Sequence, residues 1–226
     1  MSLFDLPPSA DIARHFRRAL LDCRRDESPY LHWSLTDMLP EAVAFNIIGL
    51  PIMPLLIDDC RGVRDVDNNI RTFLTPRMQA RFPVFAALTA ALQQPDIARL
   101  LAETCGFEAE GSYLRAEYIQ DIDGAWLEPH HDVPEKLFSM VIYLCTGPDA
   151  AEWGTDIYDA AKRWVGRSSS QFNSATIFIP GENTWHGYEK RPIEGIRRLM
   201  EINYVHPSWR DRGQLCFPDQ PVRCGR

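Results

Sequence analysis

What most constrains the fold of this chain is a change of period at Gly111. Before it, apolar residues recur at helical spacing; after it, short runs of β-branched and aromatic residues are separated by Gly, Pro, Asn and Asp turns. In the first part, Ser9 or Asp11 can cap a segment in which Ile12, Phe16, Ala19, Leu20 and Cys23 share a face and the other face is basic. A second helix is expected over Asp37 to Ile48, ending at Gly49-Leu50-Pro51. A third is expected over Pro76 to Gln94, with Phe82, Phe85, Ala86, Leu88 and Leu92 as its apolar face. Pro95 breaks it, and Asp96 to Cys105 forms a short helix closed by Gly106, a residue that readily adopts the left-handed conformation at a helix C-terminus.

In the second part, strands are expected near Ser112 to Gln120, Trp126 to Glu128, Lys136 to Cys145, Thr155 to Asp159, Ser174 to Ile179, Thr184 to Gly187 and Arg197 to His206. Short antiparallel strands at this density bury their apolar faces best in a sandwich or jelly roll, with the helices packed against one sheet. The expected class is therefore mainly β with N-terminal helices. The 226 residues suit a single domain: mainly helical support over 1–110, a β core over 111–206 and a C-terminal tail over 207–226.

Composition narrows the function classes. A net charge of −7 argues against a protein that works by neutralising nucleic-acid phosphate. No apolar run approaches the roughly 18 to 20 residues of a membrane helix, and the N-terminus lacks a basic region followed by an apolar one. The six cysteines form no CxxC pair, as expected of incidental thiols in a reducing compartment. A cytoplasmic location with no membrane and no nucleic-acid partner is expected.

The chemistry-bearing pattern begins at His130-His131-Asp132. In an extended segment residues two apart share a face, so His130 and Asp132 can reach one metal ion while His131 points away. His186 follows the apolar run Ala175-Thr176-Ile177-Phe178-Ile179, 56 residues after His130, far enough for a later strand to return beside the first. Two imidazoles and one carboxylate leave coordination positions open, as oxygen-activating Fe(II) sites require, whereas a structural zinc site would be closed by a fourth ligand. Arg197 lies 11 residues beyond His186 in the apolar run Arg197-Arg198-Leu199-Met200-Glu201-Ile202-Asn203-Tyr204-Val205. A buried guanidinium needs an anion, and the distal carboxylate of a 2-oxo acid suits its planar fork. Arg198 takes the opposite face, unless a bulge reverses the assignment.

From Ser112 to Val205 the chain resembles the bacterial 2-oxoglutarate/Fe(II)-dependent dioxygenases, including their prolyl-hydroxylase-like branch. The shared pattern is HxD, a distal His and an Arg about ten residues later. Phe172 to Tyr188 followed by Arg191 to Arg198 looks like the distal-His block. The resemblance implies a double-stranded β-helix core (jelly roll, cupin-like), with Fe(II) on His130, Asp132 and His186 and 2-oxoglutarate and O2 as co-substrates. It also implies a role for Tyr118 in contacting the oxo acid, with an ordinary core tyrosine as the alternative. Because Asp132 occupies the ligand position that halogenating members lack, hydroxylation is the implied outcome. Trp153-Gly154-Thr155-Asp156 departs from the glycine-rich turn of many relatives. Trp126, Trp185 and Tyr188 are candidate pocket walls, and Arg115 faces either substrate or solvent.

A free amino acid or related small metabolite is the expected substrate class, and a peptidyl or protein side chain is the alternative. Arg71, within Asn68 to Leu74, is a candidate partner for a substrate carboxylate or else a solvated loop residue. The reading from a different class is a non-catalytic metal-binding jelly-roll protein. Arg197 argues against it, since a structural metal site has no use for a buried cation.

Overall fold

The structure is a computed structural model and describes residues 5–54, 60, 62–63 and 71–225. Helix α1 (Ser9–Leu21) buries Ile12, Phe16, Ala19 and Leu20 of the expected stripe together with Ala13, while Cys23 lies beyond the helix end and is half-buried. It leads into β1 (Arg24–Asp26) and β2 (His32–Leu35), two strands absent from the sequence reading. Helix α2 (Glu41–Ile48) starts later than expected, because Asp37 takes a positive φ of 52° and Pro40 occupies the N-cap. After β3 (Thr72–Phe73), the expected long helix is divided into α3 (Pro76–Arg81) and α4 (Pro83–Leu92). Pro83 is the cause. It forces Phe82 into extended backbone (φ −128°, ψ 99°) and ends the first helix there. Helix α5 (Pro95–Cys105) ends as expected on Gly106, in the left-handed region at φ 77°.

The remaining strands are β4 (Tyr113–Asp121), β5 (Leu127–His130), β6 (Lys136–Tyr143), β7 (Asp156–Tyr158), β8 (Trp164–Arg167), β9 (Ser174–Phe178), β10 (His186–Tyr188) and β11 (Arg197–Val205). They form two antiparallel sheets, ordered β1-β2-β9-β6-β11-β4-β3 and β5-β10-β7-β8. This is the jelly-roll core expected from the strand pattern. β8 was not anticipated, and β1, β2 and β3 extend the larger sheet with chain from the half expected to be helical.

Alternation divides the larger sheet into two chemistries. Leu114, Ala116 and Tyr118 of β4, Met140 and Ile142 of β6, and Met200, Ile202 and Tyr204 of β11 join the helices in the main apolar core. The opposite face looks toward the smaller sheet. There, Ile119, Tyr143 and Leu199 pack with Trp153, Tyr188 and Ile193 at one end, and further along Arg115, Glu117, Ser139 and Glu201 stand beside Val141 and Phe178. The segment after β11 returns to the core: Leu215 bridges Arg115, and Cys216 and Val222 are fully buried. Among the described residues no helix is long and apolar enough to cross a membrane.

Candidate active site

Two short strands of the smaller sheet bring the histidines together. β5 ends on His130, β10 begins on His186, and these residues are direct partners in the antiparallel register. Their ring centroids are 4.3 Å apart. Gly187 permits this approach, since a Cβ there would stand 2.8 Å from the Leu127 carbonyl oxygen. Asp132 follows β5 by two residues, and the candidate ligand atoms of His130, Asp132 and His186 all lie within 4.8 Å of one another.

The hydrogen bonds around the triad suit metal binding. His130 Nδ1 lies 2.9 Å from the Glu128 carbonyl and His186 Nδ1 lies 2.9 Å from the Thr184 carbonyl. A carbonyl oxygen only accepts, so Nδ1 carries the proton in both rings and Nε2 keeps its lone pair, the tautomer of a metal-ligating imidazole. Burial, reinforced by His186, lowers the His130 pKa to about 4, and burial lowers that of His186 too. Both rings are neutral near pH 7.

Asp132 is held at both oxygens: Oδ1 accepts from Lys136 Nζ at 2.6 Å and Oδ2 from Ser139 Oγ at 2.7 Å. Burial pushes this carboxyl up, but Lys136 and His186 outweigh it and the net shift is downward. The donor set is thus two neutral imidazoles and one carboxylate. Lys136 also donates to Glu201 Oε1 at 2.7 Å, spanning the triad and the larger sheet.

A cavity of about 350 Å³ opens onto the triad and is lined by Arg197, Leu199 and Glu201 on one face of β11. That parity places Arg197 inward and leaves Arg198 on the helix side beside Tyr118. Arg197 is buried under Tyr188, with 4.0 Å from the guanidinium carbon to the ring centroid. Its Nε donates to the Trp153 carbonyl at 2.6 Å and its Nη1 to Asp121 at 2.5 Å. Its Nη2 donates to none of the described residues. The Tyr188 hydroxyl beside it is buried and likewise has no partner among them. An open guanidinium edge next to an orphaned hydroxyl, both lining the cavity, fits a carboxylate supplied from outside the chain.

The structure does not bring Tyr118 into this site. Its ring packs on Phe85 of α4, on the helix side of the larger sheet, and it does not line the cavity. The alternative of a core tyrosine describes its placement. Trp126 bonds the Cys60 carbonyl, and neither it nor Trp185 lines the cavity, whereas Tyr188 does. His131 lies edge-on to Trp185 and outside the converging ligand set. Arg71 and Arg115 line the cavity and both pair with Glu117. Asn68 to Ile70 lie outside the described residues.

The sequence reading missed Lys136, Ser139, Glu117, Glu201 and Asp121. A signal was present for some of them. Arg115 and Glu117 sit two apart in an apolar strand, as do Glu201 and Asn203, so each pair shares one polar face.

No protein-family model matches the chain, and no curated protein matches it by sequence. Solved structures do. A prolyl 4-hydroxylase from Phytophthora capsici superimposes with a TM-score of 0.57 at 11% identity, over 91% of this chain and 68% of that one. A Pseudomonas putida prolyl-4-hydroxylase gives 0.54 at 13% identity, over 90% and 95%. A Trichoplax adhaerens prolyl hydroxylase in complex with a hypoxia inducible factor oxygen degradation domain peptide gives 0.54 at 10% identity, over 87% and 90%. The fold is that of the prolyl hydroxylases. At these identities the likeness carries the architecture, and the chemistry rests on the chain's own residues.

Proposed function

We propose that the protein is a 2-oxoglutarate- and Fe(II)-dependent oxygenase that hydroxylates an unactivated C–H bond. The single observation that carries this reading is one cavity holding both an open two-histidine, one-carboxylate set and, on β11, a buried arginine with a free edge. His130, Asp132 and His186 would hold the iron. Arg197 and the Tyr188 hydroxyl would bind the distal carboxylate of 2-oxoglutarate. When bound, the metal with its co-substrates supplies the oxidising power: one oxygen atom of O2 enters succinate, carbon dioxide leaves, and the other oxygen atom enters the substrate as hydroxyl. The chain positions and shields. Lys136 and Ser139 orient Asp132, the Glu128 and Thr184 carbonyls orient the imidazoles, and Phe178, 4.6 Å from the His186 ring, covers one side.

The test is anaerobic absorption spectroscopy. Fe(II) and 2-oxoglutarate together should give the weak visible charge-transfer band of the chelate, and His186→Ala should abolish it. Metal binding without the band would sink the oxygenase reading and favour a non-catalytic metal protein. Replacing Arg197 by Ala should weaken 2-oxoglutarate binding by about 2–3 kcal/mol while leaving iron in place, because a charge-assisted bond to the carboxylate is lost. A larger loss from Arg198→Ala would reverse the assignment.

A free amino acid or related small metabolite is the substrate class best matched to a cavity near the lower end of the range of ~300–1,000 Å³ usual for small-molecule sites. A peptidyl side chain is the second reading, favoured by the peptide bound to the Trichoplax relative.

A further inference from the structure

The cavity carries a second buried arginine. Arg197 pairs across the strands with Asp121 at one end of the β4–β11 ladder, and Arg115 pairs with Asn203 six residues further along. That spacing puts their backbones roughly 20 Å apart. Both line the same cavity, and each is 2% exposed. The Arg115 guanidinium carbon lies 4.9 Å from the ring centroid of Phe73 and 5.2 Å from that of Trp209. Its Nε donates to Gln214 at 2.9 Å and its Nη1 to Glu117 at 3.0 Å and to Asn203 at 2.6 Å. Its Nη2 donates to none of the described residues. A buried cation packed on aromatic rings at the wall of a cavity, with one amino group that donates to none of the described residues, is suited to take a second anion beside Glu117.

The site is also tied to the metal centre. Asn203 accepts from Arg115 and donates to Ser139 Oγ at 3.0 Å, and Ser139 donates to Asp132. An anion on Arg115 therefore sits at the end of a bonded chain leading to a candidate iron ligand. Glu117 accepts from Arg115 and, at both oxygens, from Arg71, and it faces Glu201, which accepts from Lys136, directly across the β4–β11 pair. A free amino acid carries a carboxylate that the remaining Nη2 of Arg115 can take, whereas a blocked prolyl residue inside a peptide carries none.

Resting on the oxygenase reading above, we propose that Arg115 binds the carboxylate of the substrate and that the substrate is a free amino acid. Arg197 is then left to the co-substrate at the other end. The two arginines divide one cavity between two acids.

The experiment uses the Fe(II)-loaded full chain and measures succinate release above the level without added substrate. The probes are the free proteinogenic amino acids, their carboxamides, and a proline-containing peptide blocked at both ends. At least one free amino acid should stimulate succinate release with gain of one oxygen atom in its mass, and its carboxamide should do so on the order of 10- to 100-fold less well, the loss expected for a charge-assisted bond. In Arg115→Gln, KM for that amino acid should rise by a similar factor, while the 2-oxoglutarate charge-transfer band persists as proof of a folded, loaded site. Stimulation by the carboxamide or blocked peptide equal to that by the acid overturns the proposal, as does an absence of stimulation by every free amino acid. Loss of the band in the unaltered protein is a different failure, that of the oxygenase reading itself.

Discussion

At the scale of single residues, Lys136 shows how charge and metal binding are coupled. Its buried ammonium neutralises two carboxylates, Asp132 and Glu201, at 2.6 and 2.7 Å. Removing one partner of a buried ion pair leaves an uncompensated charge, at a cost of about 3–5 kcal/mol. Lys136→Met should therefore lower the melting temperature of the metal-free protein sharply. A bound divalent cation restores positive charge beside Asp132, so it should recover more stability in this variant than in the parent, as thermal melts with and without Mn(II) would show. His130 supplies a pH dependence. Its pKa in the folded chain is about 4, against an ordinary value of 6.5. Between those limits the unfolded chain takes up a proton that the folded chain refuses, so this contribution to stability is present above pH 6.5 and declines as the pH falls toward 4. Denaturant midpoints of the metal-free protein should fall across that window, and His130→Gln should flatten this part of the profile.

At the scale of elements, the site depends on how closely β5 and β10 approach. Each is short, four and three residues, and their ladder holds His130 against His186. Gly187→Ala would place a methyl 2.8 Å from one backbone oxygen and 3.1 Å from another, neither of which is a flexible side-chain end. The strands must separate, carrying the imidazoles apart, while the larger sheet and its helical core are untouched. The expected result is a fold retained by circular dichroism with metal affinity reduced by tenfold or more, on the order of the loss seen when ligand-orienting groups are removed. Unchanged affinity would show that the ladder does not set ligand spacing. Elements also show where local reading works. α1 and α5 follow their apolar stripes and α5 ends on the expected Gly106, whereas the break between α3 and α4 needed weight on Pro83 against a continuous apolar face.

At the scale of the whole molecule, the two faces of the larger sheet divide the labour. One is sealed by helices through Met200, Ile202, Tyr204 and Tyr118, and the other carries charged side chains toward the smaller sheet and the cavity. The core that stabilises the fold therefore lies apart from the groups that bind ligands. Ligand binding should add to stability without altering the core: at a metal concentration 100 times Kd the gain is about 2.7 kcal/mol. For a chain of this size that corresponds to a rise in Tm of about 5–10 °C. Scanning calorimetry with and without Co(II) would measure it, and His186→Ala should remove the rise while leaving the metal-free Tm within a few degrees.

Sequence by itself determined the periods, and with them the mainly β core, most strand positions and the identity of the three candidate ligands. Those features are local: alternation puts His130 and Asp132 on one face, and an apolar run delivers His186 to a strand start. Alternation also correctly set Arg197 and Arg198 on opposite faces. It could not say which face of β4 meets the cavity. Tyr118 is paired with Met200 across the ladder, and so lies on the helix side, by a register between strands some 80 residues apart in the chain. The partners of the buried charges were decided in the same way. Asp121 for Arg197, Glu117 for Arg71 and Arg115, and Lys136 for Glu201 are joined only when sheets close and helices cover one side. Burial makes such pairing obligatory, and burial is a property of the packed molecule rather than of any segment.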